Sequence, residues 1–185
     1  MTEIILASGS PRRRELLSSL GIDFQVIPAD VDEQIDSSKE LSSEIERLSF
    51  KKAMAVFKDH PEALVIGSDT IVCINGDVLG KPHSEEEAVA MLKELSGKTH
   101  QVITAVTILS KEESETFSSS SDVLFQKMTD DEIMEYVKTG EPMDKAGSYA
   151  IQGYGSRFIK GIRGDYYSIV GFPISEVYER LKKYL

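Results

Sequence analysis

Eight consecutive residues, Ala7-Ser8-Gly9-Ser10-Pro11-Arg12-Arg13-Arg14, bring together small residues at a turn, a helix start and three guanidinium groups. Free N–H groups and the positive dipole end at a helix N-terminus attract negative charge, and arginine meets phosphate oxygens two at a time. The competing reading is an ordinary capped helix with a solvated basic first turn. Cations at a helix N-terminus oppose the dipole by roughly 0.3–1 kcal/mol, so phosphate binding is the better account of the segment. A second group is Asp69, together with Glu33 in the loop Val31-Asp32-Glu33 and Lys52. A carboxylate with apolar residues on both sides costs several kcal/mol to bury unless a metal or cation meets it. Metal binding or activation of water is the simplest employment for Asp69; a structural ion pair is the alternative.

Lys81 belongs with Asp69 if Asn75-Gly76-Asp77 is a three-residue turn, since both then share a sheet face; a two-residue turn separates them. Both registers are open, and a snorkelling edge lysine is the plain reading of Lys81. The third group is Asp144-Lys145-Ala146-Gly147-Ser148-Tyr149-Ala150-Ile151-Gln152-Gly153-Tyr154-Gly155. Its glycines permit close backbone approach, and the Gln152 amide both donates and accepts, which suits a pyrimidine edge. Taken alone, the segment reads better as a tight loop between strands.

The elements that must position these groups alternate short apolar runs with helical patterns, which predicts one mixed α/β domain over 1–185. Ile4-Ile5-Leu6 reads as a strand, and Ser10 caps a helix with Pro11 in its first turn, a stripe of Leu16, Leu17 and Leu20, and Gly21 at its end. Phe24-Gln25-Val26-Ile27 reads as a second strand. Leu41, Ile45, Leu48 and Val56 recur at helical spacing, and Lys52 falls in the same stripe, so it points inward. The run from Ala63 to Ile74 is strand-like but broken by Gly67-Ser68-Asp69-Thr70, and Asn75-Gly76 signals a hairpin.

Ser84 and Glu87 predict a capping box for a helix ending near Gly97; the strand Gln101 to Leu109 follows, then a serine-rich loop around Ser118 to Ser121. Val123-Leu124-Phe125 reads as a strand, Thr129 with Glu132 as another capped helix start, Gly140 to Gly171 as a glycine-rich segment, and Pro173 as the start of a last helix reaching Leu185.

Composition excludes several functions. About two-fifths of the 185 residues are apolar and over a quarter charged, as in a compact domain, and the net charge of -10 disfavours extended DNA or RNA as a partner. No apolar run approaches the roughly 20 residues of a membrane span, and Met1-Thr2-Glu3 leads into a strand instead of a basic signal segment, which predicts a cytoplasmic protein. The one cysteine, Cys73, lies in an apolar run and reads as a small buried hydrophobe. His60, His83 and His100 lack metal-ligand spacing, no serine or cysteine has a nucleophile-elbow context, and the Gly-Lys-Ser/Thr phosphate loop and dinucleotide glycine fingerprint are missing.

Together, Leu6-Ala7-Ser8-Gly9-Ser10-Pro11-Arg12-Arg13, Gly67-Ser68-Asp69-Thr70-Ile71-Val72, Leu79-Gly80-Lys81-Pro82 and Asp144 to Gly153 closely resemble the Maf family of nucleotide pyrophosphatases. Further matches are Gly164-Asp165-Tyr166-Tyr167 and Val170-Gly171-Phe172-Pro173, so the resemblance spans essentially the whole chain in order. It implies an inosine triphosphate pyrophosphatase-like fold: an elongated mixed sheet with flanking helices, in two lobes around a deep cleft, usually as a homodimer. It also implies a hydrolase, dependent on a divalent metal (Mg, Mn or Co), that splits a nucleoside triphosphate into monophosphate and pyrophosphate. The family is thought to cleanse nucleotide pools and has been linked to septum formation and arrest of cell division.

By this resemblance Asp69 is the proton acceptor that activates water, while Arg12, Thr70 and Gln152 match positions associated with dTTP and UTP preference. Ser8, Arg13, Glu33, Lys52 and Lys81 match other residues of the cleft, with Glu33 and Asp69 near the metal. The Asp-Lys-Ala-Gly and Ile-Gln-Gly patterns point to the pyrimidine branch and away from the one favouring a methylated guanine nucleotide. Ser68, Ala105 and Ser168 depart from the common pattern, standing where a small apolar residue, glycine and asparagine are frequent. Two rival readings share the anion site: a nucleotide-binding regulator of septum formation without catalysis, and a phosphomonoesterase.

Overall fold

Ile4–Leu6 (β1) is buried at every position because it is an inner strand with parallel neighbours on both sides, which explains its unbroken apolar run. The computed structural model describes residues 3–185; the Met1-Thr2 part of the sequence reading lies outside them. The remaining strands are Gln25–Val26 (β2), Leu64–Ile74 (β3), Asp77–Leu79 (β4), Thr99–Leu109 (β5), Ser114–Phe125 (β6) and Ile159–Arg163 (β7). Helices run over Pro11–Ser18 (α1), Leu41–Phe57 (α2), Glu85–Leu95 (α3), Asp130–Lys138 (α4), Tyr166–Val170 (α5) and Ile174–Leu181 (α6). The strand order is β2-β1-β3-β5-β6-β7, with β4 paired to β3. β1 runs parallel to β2 and β3, whereas β3 with β4 and β6 with β7 are antiparallel, so the sheet is mixed and helices intervene between strands, as the sequence predicts.

Several local expectations are corrected. β3 is not broken at Gly67-Ser68-Asp69-Thr70 but continuous through it. Gly67 is a packing residue and not a turn residue: a Cβ there would run into the Ser49 carbonyl and lie 2.9 Å from Ala53 Cβ, so glycine lets α2 lie against the strand. The serine-rich stretch is not a loop but the middle of β6, with two of its hydroxyls engaged by protein partners: Ser118 Oγ donates to Glu46 Oε1 at 2.6 Å, and Ser121 Oγ lies 2.9 Å from Ser168 Oγ. Glu87 does not close a capping box on Ser84, because its carboxylate accepts from His83 N at 2.7 Å. The glycine-rich segment contains β7 and α5, neither read from sequence, and the last helix stops at Leu181 with Pro173 at its N-cap. The Asn75-Gly76 turn has two residues, both at positive φ (54° and 89°), and pairs Ile74 with Asp77. The register that would have put Lys81 on the Asp69 face is therefore not the one formed.

The chain divides into two compact units. The first comprises the described residues up to Asp69, with Thr104–Ser119 and Gly171–Leu185. Its cores gather Leu17, Ile66, Phe172 and Leu181 in one cluster, and Ile5, Ala53 and Val65 in another. The second comprises Thr70–Ile103 and Ser120–Val170, with a core that includes Leu92, Val123, Phe125 and Tyr149. Fully burying a leucine, isoleucine or phenylalanine contributes about 1.5–3 kcal/mol, which holds each set of elements on its strands. No helix among the described residues is long and apolar enough to cross a membrane.

Candidate active site

In the first unit, β1 ends at Leu6, Ala7 N continues the ladder by donating to Ile66 O at 2.8 Å, and the chain then turns into α1. Ser10 is the N-cap, its hydroxyl accepting from Arg13 N, and Pro11 occupies the first turn where a missing N–H costs nothing. Ser8 Oγ accepts from Ser10 N at 3.3 Å and from Arg13 Nη1 at 3.2 Å, while Arg13 Nε donates to Gly171 O at 2.9 Å. The Arg13 guanidinium is thus buried and committed to bracing the turn, whereas Arg12 is half-buried and Arg14 exposed. Burial lowers the Arg13 pKa, and the negative charge of Asp69 works against that shift. A pocket of about 410 Å³ opens beside the turn, lined by Ser8, Gly9, Ser10, Pro11, Arg14 and Val26 among others.

Lys52 lies on the buried stripe of α2, as its spacing predicts. Its Nζ is 2.7 Å from Glu33 Oε1 and 3.2 Å from Asp69 Oδ2, so one ammonium joins two carboxylates. Because glycine at position 67 lets α2 approach β3, the lysine reaches the strand two residues further on. The loop bearing Glu33 is tied to the same helix by groups the sequence reading missed. Arg47 Nη2 donates to Gln34 O at 2.9 Å, Asp36 N to Glu44 Oε2 at 3.0 Å, and Lys51 Nζ to Asp32 O at 2.8 Å. Glu44 is itself bonded to Arg47, which is the main cause of its pKa falling to about 2. The Glu44/Arg47 spacing signals a helical ion pair, but nothing in it signals the loop.

The oxygen donors Glu33 and Asp69 already share one cation, and a hard divalent ion is commonly held by one or two carboxylates with phosphate oxygens and water completing the shell. The pair therefore fits such an ion. Among the described residues no group of three or more His, Cys, Asp and Glu is placed to hold a metal without such help.

In the second unit, Thr70 is half-buried on β3, Lys81 is exposed just beyond β4, and Gln152 is exposed ahead of the 3-10 turn Gly153–Phe158. The Asp-Lys-Ala-Gly segment is held down by Gly147 N donating to Gly80 O at 3.1 Å, and a Cβ at Gly147 would come within 2.8 Å of Val72 Cγ1. Ser168 is buried, its hydroxyl donating to Asp165 O at 2.8 Å, so at this position serine serves the local fold. Cys73 is buried and its thiol pKa is raised by desolvation, in keeping with an inert core residue. His100 Nε2 lies 2.7 Å from Tyr149 Oη in the core, and burial pushes its pKa down to about 4.

A mixed α/β scaffold that presents a braced, arginine-bearing turn at a helix N-terminus and, in the same unit, a lysine between two carboxylates has the parts of a phosphate-handling hydrolase. Residues 3–184 match the Maf-like protein family, and the chain belongs to that family. It is 46% identical over 181 residues to the dTTP/UTP pyrophosphatase of Bacillus velezensis, covering 98% of this chain and 96% of the relative. It is 48% identical over 184 residues to a Bacillus cereus protein of the same name, covering 100% of this chain and 96% of the relative. Among solved structures, the Staphylococcus aureus Ham1 protein superposes with a TM-score of 0.51 at 16% identity, over 94% of this chain and 85% of that one. That likeness shows the fold alone.

Proposed function

We propose that the chain hydrolyses nucleoside triphosphates, dTTP and UTP foremost, to the monophosphate and pyrophosphate. The observation that carries the reading is Lys52 Nζ set between Glu33 and Asp69, on a chain whose full-length relatives are named dTTP/UTP pyrophosphatases. Asp69 orients and deprotonates the attacking water. A strand carboxylate held at 3.2 Å by an ammonium keeps its aim, which general-base catalysis needs. The N–H groups of the turn from Ser8 to Ser10, with Ser8 and Arg12, attract the phosphate chain, Arg13 braces that turn and adds its charge, and Lys52 offsets charge that develops on the phosphates. Glu33 and Asp69 would hold a divalent cation (Mg, Mn or Co), which supplies Lewis-acid stabilisation of phosphate oxygens when bound. In the second unit Lys81 adds positive charge for the triphosphate, while Thr70 and Gln152 read the base. Cytoplasmic location and a homodimer belong to the same proposal.

The regulator without catalysis is not favoured, because such a protein needs the anion turn but no water-activating carboxylate. The test is to incubate the purified chain with a panel of nucleoside triphosphates, with Mg, Mn or Co and with chelator, and resolve products by ion exchange. Monophosphate plus pyrophosphate from dTTP and UTP, lost on chelation, is the expected result. Orthophosphate as the first product would mean a phosphomonoesterase, and bound but intact nucleotide a regulator.

A further inference from the structure

The segment that carries Gln152 is not held by its own sequence alone, although Ser156 Oγ donates to Gly153 O within it. Its backbone is gripped on both sides of the glutamine by two residues from further back in the same unit, Tyr136 at the end of α4 and Glu141 in the 3-10 turn after it. Before Gln152, Ala150 N donates to Tyr136 Oη at 3.2 Å. After it, Tyr154 N donates to Glu141 Oε1 at 2.9 Å and Gly155 N to Glu141 Oε2 at 2.8 Å. The two anchors are joined, since Tyr136 Oη donates to Glu141 Oε2 at 2.5 Å. A carboxylate taking three donors at once, two from the backbone, is a strong and directional tether.

The backbone is shaped to this grip. Gly153 stands at φ +80°, a conformation L side chains rarely adopt, and a Cβ there would run into Glu141 Oε1. A Cβ at Gly155 would run into Ala150 O and lie 2.6 Å from Tyr136 Oη. Gly153 is thus shaped to Glu141, and Gly155 to the backbone of Ala150 together with Tyr136. Gln152 itself remains exposed between the two gripped stretches.

From this geometry we infer that Tyr136 and Glu141 are positioning residues for base selection: they fix the backbone around Gln152 so that its amide meets the pyrimidine edge in one orientation. The inference rests on the reading of Gln152 given above. Neither residue is needed for the phosphate chemistry, so the consequence of losing them falls on discrimination and on KM before kcat. An amide whose aim wanders by an ångström loses the hydrogen-bond match on which rejection of the wrong base depends.

The test compares full-length wild type with Q152A, E141A, Y136F and the double variant E141A/Q152A, measuring kcat and KM for dTTP, UTP and CTP with magnesium. E141A is expected to lower the dTTP-over-CTP preference in kcat/KM by on the order of 10- to 100-fold, chiefly through KM. Y136F, which keeps the ring packed on Phe158 at 5.3 Å between centroids, is expected to show a smaller fall in the same direction. The double variant should be no less selective than Q152A alone, since Glu141 acts through Gln152. If circular dichroism shows E141A unfolded, Y136F decides. E141A and Y136F that keep the wild-type preference, with at most a lower melting temperature, while Q152A loses it, overturn the inference and leave the reading of Gln152 intact. Q152A with undiminished preference removes that reading and the inference with it.

Discussion

In the first unit three of the buried polar residues, Arg13, Glu44 and Lys52, carry formal charge beside neutral ones such as Ser49 and Thr107; Lys52 is 7% exposed and Arg13 9%, each facing carboxylates or carbonyls. In the second they are neutral: His100 on Tyr149, Ser121 on Ser168, and the Tyr136 phenol, whose pKa is raised by burial and by its hydrogen bond to the Glu141 carboxylate. The difference separates two kinds of work. Charge held inside a protein is costly unless paired, and the proposed chemistry on a triphosphate is a use that repays it. Reading a base edge needs fixed direction instead, which a tethered backbone supplies, its one carboxylate anchor, Glu141, being half-buried and not fully withdrawn from water.

The sharpest way to break this contrast is Asp69→Asn. Turnover of dTTP should fall by about 10³-fold with nucleotide affinity changed little, measured by steady-state rates and by titration calorimetry; a comparable loss from a second-unit substitution such as Q152A would erase the distinction. Next in size is Lys52→Met, which leaves Glu33 and Asp69 without their shared cation. Denaturant unfolding of the metal-free variant should show about 1–3 kcal/mol less stability, because Asp69 is largely buried but Glu33 is half-exposed, and added magnesium should raise stability more than it does in wild type. No recovery would speak against the carboxylate pair as a metal site.

A third effect belongs to the neutral unit. The folded His100 pKa is about 4 against 6.5 unperturbed, so between these values the unfolded chain binds more protons than the folded one. Stability is therefore lost as pH falls through that window and is indifferent to His100 above it. Melting temperatures from pH 7.5 to 4.5 should decline more steeply for wild type than for His100→Gln. The smallest effect is a control: Lys111, paired at 2.8 Å with Glu62 but exposed, should be replaceable by alanine with no measurable change in melting temperature.

The same contrast explains what could be read from the sequence. Asp69, Lys52 and the Ser8–Arg13 turn stood out because a charge in an apolar setting, or three arginines at a helix start, calls for a partner, whereas Glu33, in an exposed loop, carries no such mark of its own. The mixed sheet and most helices followed from periodicity and caps. Gly67 misled, because a glycine that lets a helix approach looks in sequence like one that turns the chain. Ser118 to Ser121 misled because their partners, Glu46 and Ser168, lie 72 and 47 positions away. The grip of Tyr136 and Glu141 on residues 150–155 was illegible for a related reason: its bonds are to backbone N–H groups, which carry no sequence mark.

The most direct test of Asp69 as a base acting on water is a single turnover of dTTP by excess enzyme in water enriched in oxygen-18. Direct attack by water puts one labelled oxygen into the product pair on the first turnover, and that is the expected result. An unlabelled first-turnover product, its new oxygen drawn from a protein carboxylate, would contradict the account.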